Sequence, residues 1–533
     1  MPRGQIMFVL HAHLPYVHHP EYPFFLEEHW LFEAITETYI PLLRMFRELE
    51  KDKVPVKLTM SITPPLMEML SNPDLQNKYE KHLEKLIELS RKEVSRTQFE
   101  NPTKHKMAKF YLNFFEETLH IFRDVYNKNL LNGFKEFFMK GSLDIITCNA
   151  THGYLPFMEQ YPQAIRAQLE HAVKTYERHI GVKPRGIWLA ECAYFPGLDK
   201  YLAEYGIEYF FVDSHAFWYA DERPRYGVYR PIITPNNVFA FARDPESSEQ
   251  VWSAQIGYPG DSRYREFYRD VGFDREYEYI KAYIDPSGVR MNTGIKYHRI
   301  TSKDTPLEKK DFYDIYDAKT VAYEHAVDFL RKKEAQSDYL LNLFEGLEPI
   351  IVAPFDAELF GHWWFEGPFF IEYFMREAAK SNKIKAVRAC DIVDWVEKVQ
   401  ILTPAASSWG ANGYNEVWLN GTNDWIYLHL HELVEKMTEM AKLHAEESDP
   451  VKIRILNQMV RELLLAQSSD WAFIMTTRTS VEYAVNRTKS HVKRFLTLYN
   501  MLKSGIIDMK ELQRLEYVDD IVPDADYKAY LKV

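Results

Sequence analysis

Short apolar or β-branched runs recur through the first two thirds of the chain, and each ends abruptly in residues able to do chemistry. "IMFVL" leads to His11 and His13, "VKLTM" to Ser61 and Thr63, "LDIITC" to Asn149, Thr151 and His152, and "GIWLA" to Glu191. Further on, "IEYFFV" leads to Asp213 and His215, "VFAFA" to Arg243 and Asp244, and "EPIIVAPF" to Asp356. Near-continuous runs of this kind are what parallel strands buried on both faces look like. Between them the period changes. Ile165, Leu169, Ala172, Val173 and Tyr176 form one apolar helical stripe that ends before "GVKPRGIWLA". Strand, helix, strand repeated about seven times over ~400 residues predicts a parallel sheet, either a barrel or doubly wound, with chemistry at the carboxyl ends of the strands.

Two stretches depart from the alternation. From about 66 to 140, charged helical sequence such as "YEKHLEKLIELSRKEV" predicts a helical insertion after the second strand. From about 403 onward the strand runs stop, and "WIYLHLHELVEKMTEMAKLHAEE" and "VKIRILNQMVRELLLAQ" read as amphipathic helices. The expected organisation is a unit over 1–402 carrying the insertion, followed by a helical domain over 403–533.

Composition narrows the chemistry. Of 533 residues 15% are aromatic, with 35 Tyr and 33 Phe, which suits either an aromatic-rich core or surfaces that stack on sugars. Lys and Arg total 65 against 77 Asp and Glu, a formal charge of -12 with no basic block, so nucleic acid and anionic membranes are excluded as expected partners. No run approaches the ~20 apolar residues of a membrane span. The apolar run after the start is too short for the core of a signal peptide, and the three cysteines are too scattered for a disulfide framework, so a cytoplasmic location is expected. G-x-S-x-G, Walker and Rossmann fingerprints are missing from the sequence.

Glu191 and Asp356 stand out because a carboxylate at the end of a buried strand is costly unless it is paired or used. Two of them, among Trp188, Tyr194, Trp363 and Trp364, match the needs of glycosidic cleavage, though two structural ion pairs would look the same. His11 and His13 point the same way on an extended chain, either to hold a metal with His152 or Asp213, or to bond substrate hydroxyls or a catalytic carboxylate. In "GYPGDSRYREFYRD", Arg265 and its neighbours either orient the nucleophilic carboxylate or form a surface turn. Trp409, Trp418 and the Asp470–Trp471 pair supply ring-plus-carboxylate combinations suited to sugar subsites. Rival readings are a metal-dependent deacetylase or mannosidase and a non-catalytic glucan-binding protein.

In order along the chain, "HAHLPYV", "CNATHGYLP", "GIWLAECAY", "APFDAELFGHWWFEGP" and "SSDWAF" resemble the five conserved regions of glycoside hydrolase family 57. The resemblance is nearest to the branching-enzyme group, helped by "ARDPESSEQVWS" and "GYPGD". It implies an incomplete (β/α)7 barrel with a helical insertion and an all-helical C-terminal domain. It also implies a retaining mechanism on α-1,4-glucans such as amylose, starch or glycogen, with no metal and no cofactor. Carried over by motif, Glu191 is the nucleophile and Asp356 the general acid/base. His11, His13, His152, Arg265, Trp363, Trp409, Trp418 and Asp470 become substrate contacts. An incoming sugar 6-hydroxyl would give a branch, and water would give amylase-like hydrolysis. Family branching enzymes carry a tyrosine on a mobile loop over the site. Here the connection 219–231 is short, Tyr226 is its candidate, and appreciable hydrolysis is expected beside branching.

Overall fold

The computed structural model describes residues 4–253 and 256–532. Among the described residues ten strands lie in two sheets: β1 (Gly4–Ala12), β2 (Leu58–Ile62), β3 (Leu143–Ile146), β4 (Gly186–Ile187), β5 (Tyr209–Val212), β6 (Ile232–Ile233), β7 (Phe239–Ala242), β8 (Ile350–Asp356), β9 (Ile384–Ala386) and β10 (Gln400–Ile401). One sheet runs β3-β2-β1-β8 with β9 also on β1, and the other runs β10-β6-β7-β5-β4. All pairings are parallel except β6 with β7. The sheets meet at two seams. Thr147 bridges β3 to β4, donating to the Gly186 carbonyl and accepting from the Trp188 amide, and the Asp244 amide after β7 donates to Val352 of β8 at 2.8 Å. The chain thus adopts the expected α/β class, with seven parallel strands following one another from β1 through β5 to β7 and β8.

The continuous apolar runs have their expected cause. In β1, Phe8 packs outward on Phe329 and Phe374 of covering helices, while Met7 and Val9 face the opposite side. There they join Trp188, Phe211, Phe241 and Val352, drawn from strands of both sheets. Both faces of β1 are buried, so neither parity can be polar. β6, β9 and β10, at two or three residues each, are too short to show any period.

Between β2 and β3 lie helices Pro64–Ser71, Pro73–Thr97, Pro102–His120 and Leu131–Met139. Asn-Pro starts two of them: the side chains of Asn72 and Asn101 each accept two amides of the first turn, and Pro fills a position whose amide needs no partner. Beyond β10, among the described residues, the elements are helical, the main ones being Trp425–Leu443, Pro450–Ala466, Ser469–Thr477, Val481–Ser504 and Met509–Val518. No described helix is long and apolar enough to cross a membrane. Cys148, Cys192 and Cys390 are buried and unbonded to one another.

Candidate active site

The parity that sends Met7 and Val9 inward continues through His11 near the end of β1 to His13 just beyond it. Trp188 stacks between the His11 ring and Phe211, at 5.1 and 5.8 Å, and closes the floor. Above that floor opens a cleft of about 1020 Å³. Strand register sets its members side by side: His11 pairs with Ser61 on β2 and with Asp356 on β8.

Glu191 is half-turned into this cleft by unusual backbone. Its φ is 59° and that of Cys192 is 53°, two successive left-handed residues with a Cβ, a conformation costing on the order of 1–2 kcal/mol each. Such strain persists only where the surroundings over-determine it, and here they do. The Glu191 carbonyl accepts the Trp409 amide, and Cys192 donates back to Leu189. Both carboxylate oxygens are engaged, Oε2 by Trp409 Nε1 at 3.0 Å and Oε1 by Ser469 Oγ at 2.9 Å. Burial raises its pKa, with Trp409 and Ser469 opposing and Asp470 adding to the rise.

The Ser469 bond fixes a line of proton positions. With its hydrogen given to Glu191, Ser469 Oγ can only accept from His152 Nδ1, at 2.8 Å. His152 Nε2 then accepts from His11 Nε2 at 3.0 Å, and His11 Nδ1 accepts from Ser61 Oγ at 3.2 Å. Burial, reinforced by neighbouring imidazoles, holds both rings' pKa well below 6.5, so they are neutral as this line requires. His13 differs. Burial depresses it, but Asp470 together with Glu191 and Glu358 outweighs burial and raises it, while His13 in return holds Asp470 at about 2 against its own burial. The pair meets at 3.1 Å, with Thr63 Oγ1 on the other His13 nitrogen and the Ser468 hydroxyl on Asp470.

Asp356 is the opposite of Glu191. It closes β8 half-buried, and among the described residues no hydrogen bond reaches its carboxyl. Burial, then the charges of Glu358 and Glu191, push it well above the ordinary range, with Arg243 the opposing cation. Glu358 is itself raised by burial to about 7, despite accepting from Tyr39 at 2.5 Å and from the His13 amide at 3.2 Å. One carboxylate held by two donors and another without any, on the same cleft, is an arrangement that can separate a nucleophile from a proton donor.

Of the residues singled out in the sequence, Glu191, Asp356, His11, His13, His152, Trp363, Trp409, Trp418 and Asp470 line this cleft. Trp363 is 57% exposed, whereas Trp418 lies buried against Tyr154 at 4.8 Å with its edge on the wall. Arg265 is not among them. Its guanidinium is buried, donates to Glu37 at 2.7 Å and stacks 3.8 Å over Phe365, so it orients no cleft carboxylate. The cation facing Asp356 is Arg243, paired with Asp213, whose other partner is His215 at 3.2 Å rather than His11, His13 or His152. Tyr226 is elsewhere too. It packs edge-on against Phe344, and three residues later the Tyr229 carbonyl accepts the amide of Ile350 at the amino end of β8. The connection 219–231 thus reaches the end of that strand opposite Asp356.

Residues 7–403 match glycosyl hydrolase family 57. The chain belongs to that family. Residues 429–530 match the C-terminal domain of 1,4-alpha-glucan branching enzymes. The chain is 35% identical to the 1,4-alpha-glucan branching enzyme of Thermococcus kodakarensis over 97% of its own length and 77% of that protein's. It superposes on the alpha-amylase AmyC of Thermotoga maritima with a TM-score of 0.95 and 62% identity, covering 100% of this chain and 99% of the other. The family 57 branching enzyme of Pyrococcus horikoshii gives 0.87 and 33%, covering 99% and 97%.

In this family 57 chain, His13, His152 and Asp470 each bring one possible ligand atom within 4.8 Å of the others. All four ring nitrogens already have protein partners, so a cation there would have to break the Ser469 line or the Asp470 pair. Two participants escaped sequence reasoning, Ser469 with only its place inside "SSDWAF" and Glu358 with its place two residues after Asp356, while Arg243 was noted at the end of an apolar run but given no role.

Proposed function

We propose that this family 57 chain cleaves α-1,4-glucans through a covalent glycosyl-enzyme and transfers the chain to a sugar 6-hydroxyl, making α-1,6 branches, with hydrolysis alongside. The observation that carries the reading is the contrast between the two carboxylates of the cleft. Glu191, holding two hydrogen bonds that favour its ionised form, is the nucleophile. Asp356, with no donors and two neighbouring acids, keeps the proton. Glu191 attacks the anomeric carbon as Asp356 gives its proton to the departing glucosidic oxygen. Asp356, now ionised, takes the proton of the acceptor hydroxyl, which displaces Glu191 and restores both groups. His11, His13, His152, Asp470 and the rings of Trp363, Trp409 and Trp418 hold the sugar, with the His13–Asp470 pair suited to bonding hydroxyls as donor and acceptor. The branching relatives and the match of the C-terminal region support transfer.

Hydrolysis as the main outcome is the second reading, favoured by the likeness to AmyC and by the placement of Tyr226 away from the cleft, which leaves the connection 219–231 unable to exclude water there. Incubation with amylose, following α-1,6 linkages by proton NMR and reducing ends in the same tube with Glu191→Gln as control, separates the two. The expected result is growth of both signals, abolished in the variant. Reducing ends alone make the chain an amylase, and silence in both rejects the reading.

A further inference from the structure

The segment "GYPGDSRYREFYRD" delivers no arginine to the catalytic cleft, yet it lines a second cavity of about 540 Å³. Phe267 and Trp363 line both spaces, stacked at 4.6 Å and 17°, so one aromatic partition separates them. Tyr268, 69% exposed, stands edge-on to Phe267 at 5.1 Å and extends the rings outward, and Leu307 also lines the cavity.

From this we infer a second glucan-binding groove, in which Tyr268 and the outer face of the Phe267–Trp363 stack hold a stretch of the same α-1,4-glucan chain remote from the scissile bond. The inference rests on the glucan reading above. Three features select this occupant. Exposed rings offer flat apolar faces of the kind pyranoses stack on. Charges of both signs line the groove, Lys303 and Lys310 with Glu266, Asp304 and Glu366, Lys310 lying within 3.2 Å of Glu266 while Arg265 is spent on Glu37. A lining so mixed gathers no basic cluster for a phosphate, and it offers donors and acceptors to hydroxyls. Finally, a polymer leaving the cleft past Trp363 meets this groove next, because the same ring borders both.

The test compares amylose with maltotetraose, which is too short to occupy the cleft and reach past the partition. In Tyr268→Ala the KM for amylose relative to that for maltotetraose rises roughly five- to tenfold, and Tyr268→Phe restores the wild-type ratio. An unchanged ratio in both Tyr268→Ala and the Tyr268→Ala/Leu307→Ser double variant overturns the groove. Native electrophoresis through gels containing amylose, on the Glu191→Gln background, reads binding without turnover. Loss of retardation on adding Tyr268→Ala supports the groove, and equal mobility overturns it. Should the wild-type protein act on no glucan at all, the catalytic reading fails, while the gel still decides the groove.

Discussion

At the scale of single residues, the serine that precedes Asp470 has the largest consequence for its size. One hydroxyl donates to Glu191 and, because it has only one hydrogen, dictates the tautomers of His152 and His11 behind it. Under the proposed mechanism activity needs Glu191 ionised and Asp356 protonated, so the pH profile of kcat/KM is expected to be a bell whose acid limb belongs to Glu191 and whose basic limb belongs to Asp356. Both groups sit above ordinary carboxylate values, and the bell is displaced upward accordingly. Ser469→Ala removes a bond that favours the ionised form of Glu191. Its pKa rises further, the acid limb moves to higher pH, the bell narrows from that side, and kcat falls about 10- to 100-fold, in line with loss of about 1.5–3 kcal/mol for a bond to a charged group. An acid limb that stays in place shows that Ser469 does not tune the nucleophile. Serine is too common a surface and cap residue to be picked out from sequence. Glu191 and Asp356 were legible because a carboxylate directly after an unbroken apolar run conflicts with burial. Arg265 was legible as chemistry but not in its direction, since its partner Glu37 lies 228 positions away and only the fold brings them together.

Among the elements, the β1–β8 register does most to define the site, because it sets His11 abreast of Asp356 and lets the inward parity of β1 rise into the cleft. Parallel strands and covering helices follow directly from period and continuity. What the pattern could not supply was the path of irregular segments. The connection 219–231 holds three tyrosines and follows β5 and the short helix Ser214–Trp218, yet its end is anchored at the amino end of β8 by the Tyr229 carbonyl. Tyr226→Ala is therefore expected to leave the ratio of hydrolysis to transfer unchanged, measured as reducing ends against α-1,6 linkages. A severalfold shift in that ratio would return this segment to the site.

Across the whole molecule, the cleft is shared by strand ends and by the helices beyond Trp425, and within the cleft the His13–Asp470 pair is a charged link between them, beside more peripheral ones such as His18–Asp520 and Arg178–Asp524. The folded carboxyl of Asp470 is held at about 2, below its ordinary 3.8. Its contribution is thus fully present above the unfolded value and is lost as pH falls toward 2, amounting to about 2 kcal/mol at neutral pH. The share from His13, whose pKa is raised, is present below its unfolded value near 6.5 and fades as pH climbs through the folded one. Asp470→Asn should lower the guanidinium midpoint at pH 6, read by tryptophan fluorescence, with the difference from wild type shrinking near pH 2. An equal difference at both pH values would show that packing, not charge, links the two parts.

The bond from Ser469 to Glu191 spans 278 positions, and this distance orders events in time. A ribosome making the chain finishes β4 and the turn that carries Glu191 long before it reaches either donor to that carboxylate, since Trp409 lies 218 positions further on and Ser469 further still. Until Trp409 emerges the growing protein carries Glu191 with neither hydrogen bond, and the completed cleft comes into being only as the last helices emerge and fold back.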